Sequence, residues 1–165
     1  MKLKFRLTIS FIGVLILHIV IGQQNILPLR PQSVHQWAQC DRASVAQHFL
    51  NNGFDIFHPQ VNNLDNGSGI TGMEFPFINY VVAILYKLFG VHEWIYRLLV
   101  LTIFTLGLVA LIEIAFYFLQ SYWLSFLIGL LFGVMPLFSF YAANFLPDIA
   151  GLSLFFISWI SLIKE

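Results

Sequence analysis

The sequence predicts an all-α membrane protein, a polytopic transmembrane helical bundle of about four spans with a large first extracytoplasmic loop. Apolar residues make up 59% of the chain and charged residues only 10%, whereas about a quarter of a soluble domain is charged. The apolar residues fall in long runs separated by one extended polar segment. The 8 basic and 8 acidic residues are scattered, without the clustered basic surface that nucleic-acid binding requires. No nucleic-acid partner is therefore expected.

The first span is predicted over residues 5–27, an apolar run longer than the roughly 20 residues that cross a bilayer as a helix. Lys2, Lys4 and Arg6 stand at its start, and positive charge tends to stay on the cytoplasmic side. The run offers no convincing small-residue cleavage site and more apolar segments follow it, so we expect an uncleaved span rather than a signal peptide. The N-terminus is then cytoplasmic and the next loop extracytoplasmic.

The outer loop is predicted over residues 28–93, which gather Asn, Gln, Asp, Gly, His and half of the charged residues. Two interfacial helices are expected within it, over residues 41–52 and 76–89, both too short to cross the membrane comfortably. Residues 62–72 lack periodicity and should form a loop. This loop includes Asn66 in a triplet that matches the N-glycosylation pattern, a match that often arises by chance.

Three further spans are predicted over residues 94–119, 123–141 and 148–163. A tight turn between the last two ends at Asp148. Counting crossings from a cytoplasmic N-terminus puts this turn on the outer side, together with the loop that carries Asp41. We therefore expect Asp41 and Asp148 to face one compartment and a common cleft.

Several motifs follow one another along the loop and the later spans. They are His35-Gln36-Trp37-Ala38-Gln39-Cys40-Asp41, Gly53-Phe54, His58-Pro59, Thr71-Gly72-Met73-Glu74-Phe75-Pro76, Leu85-Tyr86-Lys87-Leu88-Phe89-Gly90, Glu93-Trp94-Ile95-Tyr96-Arg97 and Asn144-Phe145-Leu146-Pro147-Asp148. In this order they resemble class C glycosyltransferases. The nearest branch is the bacterial one related to protein O-mannosyltransferases and to the aminoarabinose transferases of lipid A, and the resemblance covers essentially residues 1–165.

The resemblance implies a multi-pass enzyme of the bacterial inner membrane that takes a sugar from a polyprenyl-phosphate or polyprenyl-diphosphate carrier. The acceptor would be a hydroxyl of a protein, lipid or glycan on the outer face. No cofactor is implied with certainty, and a divalent cation is left open. Relatives continue with further spans, so this chain is expected to be the N-terminal part of such an enzyme and inactive alone.

Asp41 and Asp148 are the catalytic candidates. The resemblance places Asp41 where such enzymes carry an acidic residue at the start of a surface helix, and a carboxylate there can take the proton of the acceptor hydroxyl. The alternative for Asp41 is a helix N-cap. Relatives often have two adjacent acidic residues here, whereas Arg42 follows Asp41 in this chain. Asp148 is either an N-cap or a second acid that orients the acceptor or binds a metal.

Arg97, Lys87, Glu74 and His58 are the candidates for binding the substrate and the carrier phosphate. In the aminoarabinose branch a lysine stands at the position of Phe75, so Arg97 and Lys87 are the outer cations left for the phosphate, which a bidentate Arg suits well. Both could instead extend along the membrane interface. The five His residues show no ligand spacing, and no metal site is predicted.

Two other classes of protein remain open. One is a truncated, non-catalytic membrane module that binds lipid carriers or a partner subunit. The other is a transporter, in which the intramembrane polar residues His18 and Glu113 would line a path.

Overall fold

A computed structural model of the chain describes residues 2–62 and 67–163. Within these residues the protein is all-helical, and its only β-type pairing is one isolated bridge between Gln60 and Ile70. The α-helices are α1 (Leu3–Val20), α2 (Gln36–Asn52), α3 (Phe77–Phe89), α4 (Glu93–Leu119), α5 (Tyr122–Val134), α6 (Pro136–Ala142) and α7 (Asp148–Ile163). Asn66 of the glycosylation-like triplet lies outside the described residues.

Among the described residues, two helices, α1 and α4, are long and apolar enough to cross a membrane, and the number rises to three if α5 and α6 form one bent span. Helices α3 and α7 are apolar but shorter, with 13 and 16 residues. The predicted all-helical fold is thus confirmed, and the long apolar helices agree with a membrane protein. The count of four spans and their orientation stay predictions.

Two of the predicted spans differ from the helices that form. Helix α1 ends at Val20 rather than near residue 27, because Gly22 takes a left-handed conformation (φ 79°) and a short 3₁₀ turn follows. Such a glycine is a common way to end a helix. The run 123–141 is interrupted at Met135, and α5 and α6 meet there at 71°. Pro136 causes this break, since proline lacks an N–H group and forces the preceding residue into an extended conformation.

Helix α2 begins at Gln36, five positions before the predicted start at Asp41. His35 occupies its N-cap position. Asp41 therefore lies inside the helix, in its second turn, and both the N-cap interpretation of Asp41 and its predicted place at the helix start are wrong.

The chain divides into two compact units. One, the bundle unit, comprises Met1–Ile26, Val100–Ala143 and Pro147–Glu165; the other, the loop unit, comprises Leu27–Leu99 and Asn144–Leu146. The bundle unit contains the apolar helices apart from α3 and the first turns of α4. The loop unit contains α2, α3 and the segments that connect them.

Close helix packing in the bundle unit depends on small residues. A Cβ added to Gly107 of α4 would come within 2.7 Å of the Cα of Ser153 in α7, and one added to Gly129 of α5 would collide with Ile112 of α4. Helices in lipid gain little from hydrophobic burial against one another, so van der Waals contact between closely approaching backbones becomes a main source of stability.

Replacing Gly107 with Ala is expected to destabilise the bundle unit, because the new methyl group meets the backbone of α7 and the helices must separate. Overpacking of this kind typically costs about 1–3 kcal/mol. Gly151→Ala is the matched control, since a Cβ at this helical glycine has nothing within 4 Å. Thermal unfolding in detergent, followed by circular dichroism, measures the stability of both variants. Equal midpoints for the two variants would contradict the close contact.

Polar pairs also join α1 to α4. Arg6 donates two hydrogen bonds to the Glu113 carboxylate, at 3.1 and 2.8 Å, and its guanidinium lies 3.9 Å from the ring centre of Phe116. His18 Nε2 lies 2.9 Å from the Thr105 hydroxyl. Both intramembrane residues considered for a transport path therefore have a partner on the neighbouring helix. Paired polar residues can also line a path, so the transporter stays an alternative.

The loop unit has its own small core where α2 packs on α3. Val45 and Phe49 of α2 are buried against Ala83 of α3. Four partly buried residues complete the core: Phe54, Val61, Met73 and Tyr80. Backbone hydrogen bonds from Val61 N to Gly69 O (2.9 Å) and from Thr71 N to Pro59 O (3.0 Å) join the residues just before the predicted 62–72 loop to the last residues of that loop. They hold the segment that follows residue 71 beside α2.

Candidate functional site

A cavity of about 390 Å³ opens beside α2 in the loop unit, and we call it the Asp41 cleft. Its lining residues are Trp37, Asp41, Arg42, Val61, Thr71, Gly72, Met73 and Glu74. Sites for small molecules commonly measure roughly 300–1,000 Å³, so this volume suits a small polar ligand. Among the predicted site residues, the cleft contains Asp41 and Glu74.

The cleft has two walls that come from distant parts of the sequence. Trp37 and Asp41 stand one helical turn apart on α2, which puts their side chains next to each other on the same face. Thr71 and Glu74 lie on the facing segment. That segment is fixed by the Thr71 backbone bond and by Met73, which packs against the core of the loop unit.

Arg42 and Glu74 form an ion pair with one hydrogen bond across the cleft. Nε lies 2.6 Å from Oε1, and the second terminal nitrogen donates to Oε2 at 2.7 Å. Asn79 of α3 also donates to the Arg42 carbonyl at 2.8 Å. A charge-assisted hydrogen bond of this kind fixes orientation more than it stabilises an exposed surface. The pair therefore brings a second carboxylate and a cation to the side of Asp41.

The Asp41 carboxylate itself is partly exposed. Over residues 2–62 and 67–163, the structure shows no hydrogen bond or ion pair to its oxygens. Its backbone carbonyl accepts a hydrogen bond from the Ser44 hydroxyl at 2.8 Å. An ionised carboxylate has two oxygens that accept hydrogen bonds, so Asp41 can accept a proton or a hydrogen bond from a ligand in the cleft.

The segment before α2 is held in an uncommon conformation. Ser33 and His35 both have positive φ, at 66° and 56°, a region that non-glycine residues seldom adopt. The fully buried Gln39 side chain donates to the carbonyls of Gln32 (2.8 Å) and Val34 (2.9 Å). These bonds keep the segment in place and explain why α2 starts early enough to carry Trp37.

Arg97 has a different place from the one predicted. It is fully buried, and it donates to the carbonyls of Leu29 (3.1 Å) and Arg30 (3.0 Å) and to Asn144 Oδ1 (2.6 Å). Its guanidinium also lies 4.6 Å from the ring centre of Phe145. These contacts occupy all three guanidinium nitrogens. Arg97 joins the two chain segments of the loop unit and presents no surface to a carrier phosphate in this conformation.

Lys87 and His58 also lie outside the lining of the Asp41 cleft. Lys87 is exposed in the last turn of α3, with Nζ 5.5 Å from the ring centre of Phe54. His58 Nδ1 donates to Asp55 Oδ2 at 2.6 Å beside a smaller cavity of about 120 Å³. This hydrogen bond holds the pKa of Asp55 below its ordinary value. The roles suggested for Lys87 and His58 stay predictions.

Asp148 is the first residue of α7, and it is exposed. Pro147 takes the cap position, because its carbonyl accepts the first helical bond from Gly151 N at 3.0 Å. The N-cap interpretation of Asp148 is therefore wrong, although a carboxylate in the first turn is still favoured by the helix dipole. Asp148 borders an apolar cavity of about 220 Å³ in the bundle unit. The common cleft with Asp41 stays a prediction.

Three features of the site were missed from the sequence. Glu74 was assigned to carrier binding, but its contact with Arg42 was not anticipated, and neither was a role for Arg42 in the cleft. The adjacency of Asp41 and Arg42 was visible in the sequence, but it does not indicate which acid pairs with Arg42. Trp37 was noticed only as part of a motif.

The prediction about metal binding stays a prediction. Within the described residues, no group of three or more His, Cys, Asp or Glu side chains converges as a metal site. A divalent cation brought by a substrate stays an open alternative.

Comparison with known proteins gives no match: no family model, no curated protein and no solved structure matches this chain. The resemblance to class C glycosyltransferases therefore rests on the motifs and their order alone.

Proposed function

We propose that this chain is the N-terminal part of a membrane glycosyltransferase. The reaction moves a sugar from a polyprenyl-phosphate or polyprenyl-diphosphate carrier to a hydroxyl of a protein, lipid or glycan on the outer face of the membrane. The observation that supports it most is the Asp41 cleft, in which an accessible carboxylate stands beside a fixed cation. The order of the sequence motifs supports the same reaction class.

Asp41 is the proposed general base. The acceptor oxygen attacks the anomeric carbon while its proton passes to the Asp41 carboxylate, and the bond from that carbon to the carrier phosphate breaks. General-base catalysis of this kind needs a carboxylate within hydrogen-bond reach of the acceptor. The carrier phosphate leaves as an anion and needs no proton, so one carboxylate is sufficient. A single in-line displacement inverts the configuration at the anomeric carbon.

Arg42 is the proposed contact for the leaving phosphate, in place of Arg97. It lies next to Asp41 in the cleft, and its side chain is 21% exposed. A guanidinium suits phosphate oxygens because of its planar, forked donors. Glu74 holds Arg42 in a fixed orientation before the carrier binds, which reduces the reorganisation needed in the transition state.

We also propose the finer membrane topology that the sequence predicts: four spans, with a cytoplasmic N-terminus and an outward-facing loop unit in a bacterial inner membrane. Cys40, an exposed cysteine of α2, is a ready probe. An impermeant maleimide should label Cys40 on intact cells, and it should also label Asp148→Cys in a Cys40→Ser background. Lys4→Cys in that background is the cytoplasmic control. Labelling of Cys40 only after permeabilisation would contradict this topology.

Sugar transfer in membranes tests the function directly. Membranes that contain the complete gene product are supplied with a radiolabelled pool of polyprenyl-phosphate sugars, and label is followed from the lipid extract to the acceptor fraction. The 165-residue chain and membranes without the protein run in parallel. Transfer above the protein-free membranes supports the enzyme. Its absence with the complete product would favour the non-catalytic membrane module.

A further inference from the structure

Trp37 is an exposed aromatic residue that the proposed chemistry does not use. Its side chain is 72% exposed although it lines the Asp41 cleft. Leaving an indole in contact with water forgoes the favourable free energy of its burial. A single exposed hydrophobic residue needs no explanation by itself, but Trp37 lines a cavity that also contains polar groups. An aromatic wall with a few polar groups is the usual composition of a ligand site.

The surroundings of Trp37 indicate the chemistry of that occupant. Asp41 stands one turn further along α2, and Thr71 and Glu74 lie on the facing wall. The cleft thus combines one flat apolar surface with two kinds of polar group. The carboxylates accept hydrogen bonds from a ligand, and the hydroxyl can both donate and accept them. A pyranose ring has the matching pattern, with an apolar face of C–H groups and hydroxyls around its rim.

We propose that Trp37 is the stacking platform for a pyranose ring in the Asp41 cleft. The ring lies with its C–H face on the indole and its hydroxyls toward Asp41 and Glu74. The inference rests on the proposed glycosyl transfer, which supplies a sugar to this cleft, and it names the sugar itself as the group that the cleft recognises. Trp37 acts by positioning the ring and takes no part in the proton transfer.

The position of Trp37 is suited to this role because its backbone is fixed. It lies in the first turn of α2, directly after the segment that the buried Gln39 side chain holds. A tryptophan has only two side-chain torsions, so little conformational entropy is lost when a ligand immobilises it. A rigid backbone and a stiff side chain together make a preorganised surface.

Trp123 is a matched comparison. It is also 72% exposed, but it lies on α5 in the bundle unit, within a candidate membrane span. Its ring packs edge-on against Tyr122 and Phe126, with centroid distances of 5.4 and 6.4 Å. An aromatic group in that setting is typical of a membrane interface. Replacing Trp123 with Ala removes one tryptophan, as Trp37→Ala does, but leaves the Asp41 cleft unchanged.

The test is sugar binding by the full chain in lipid nanodiscs, measured by saturation-transfer NMR. The probes are methyl α-mannopyranoside and methyl β-galactopyranoside, titrated against the unsubstituted chain and the variants Trp37→Ala, Trp37→Phe and Trp123→Ala. We expect saturation of the C–H protons of at least one glycoside. Aromatic stacking of about 0.5–1.5 kcal/mol corresponds to a roughly two- to tenfold weaker Kd for Trp37→Ala. Trp37→Phe should retain part of the binding, and Trp123→Ala should retain all of it.

Three results would overturn the inference: no binding of either glycoside by the unsubstituted chain, unchanged binding by Trp37→Ala, or an equal loss in Trp123→Ala. Circular dichroism of each variant, together with the retained binding of Trp37→Phe, separates a lost platform from a misfolded chain. Sugar binding can be measured without turnover, so a failure of the glycosyltransferase proposal can be told apart from a failure of the Trp37 platform. Binding that depends on Trp37 without any transfer rejects the enzyme alone, whereas transfer with binding indifferent to Trp37 rejects the platform alone.

Discussion

Replacing Asp41 with Asn is expected to reduce sugar transfer by the complete gene product about 10²–10⁴-fold, the usual contribution of a general base. Asn has nearly the shape of Asp, so the cleft keeps its volume while losing the group that accepts the proton. Because Asp41 lies inside α2 rather than at its N-cap, the substitution removes no cap and should leave the helix intact. The transfer assay with radiolabelled carrier sugars measures the effect.

Glu93→Gln is the control for the Asp41 variant. Glu93 is a partly exposed carboxylate of the same unit, 3.5 Å from the exposed Arg30 side chain and outside the lining of the Asp41 cleft, so its replacement should leave transfer unchanged. Activity that survives Asp41→Asn would remove Asp41 as the base and move the search to Glu74 and Asp148. Equal losses in both variants would indicate damage to the loop unit rather than to the reaction.

Replacing Arg97 with Met is expected to destabilise the loop unit by more than about 3 kcal/mol, since each buried acceptor left without a donor costs roughly 1–3 kcal/mol. Three acceptors lose their partner: the carbonyls of Leu29 and Arg30 and the side chain of Asn144. Hydrogen exchange should show lost protection of the helical amides of α2 and α3 in the loop unit. The protection of Arg97→Lys should fall between that of Arg97→Met and that of the unsubstituted chain, because an ammonium cannot reproduce the fork of a guanidinium.

Arg30→Met is the control for Arg97. The Arg30 side chain is 89% exposed, and its nearest carboxylate, that of Glu93, lies 3.5 Å away. Exposed pairs of this kind typically contribute about 0–1 kcal/mol, so exchange should be nearly unchanged. If Arg97→Met kept normal protection but lost sugar transfer, Arg97 would act on the carrier phosphate after all, and its buried position would have to open during the reaction.

The sequence by itself determined which segments become helices and which of them suit a membrane. Helix α7 has the bounds predicted for the last span, and α4 differs from its prediction by one residue. Helix formation and apolar character follow from the hydrophobicity and helix propensity of residues close together in the sequence, so both can be predicted from it. The break at Pro136 was not predicted, since the run 123–141 was taken as one span, although proline geometry accounts for it locally.

Only the tertiary structure decided how the candidate site is built. Arg42 meets Glu74 across the cleft, and Arg97 is buried because Asn144 and two loop carbonyls lie around it. The early start of α2 likewise depends on the Gln39 side chain reaching back to the preceding segment. Each of these outcomes requires a specific partner at a specific orientation, because polar contacts act over about 3 Å and depend on direction. Hydropathy and periodicity carry no such information, so the charges could be found in the sequence while their partners could not.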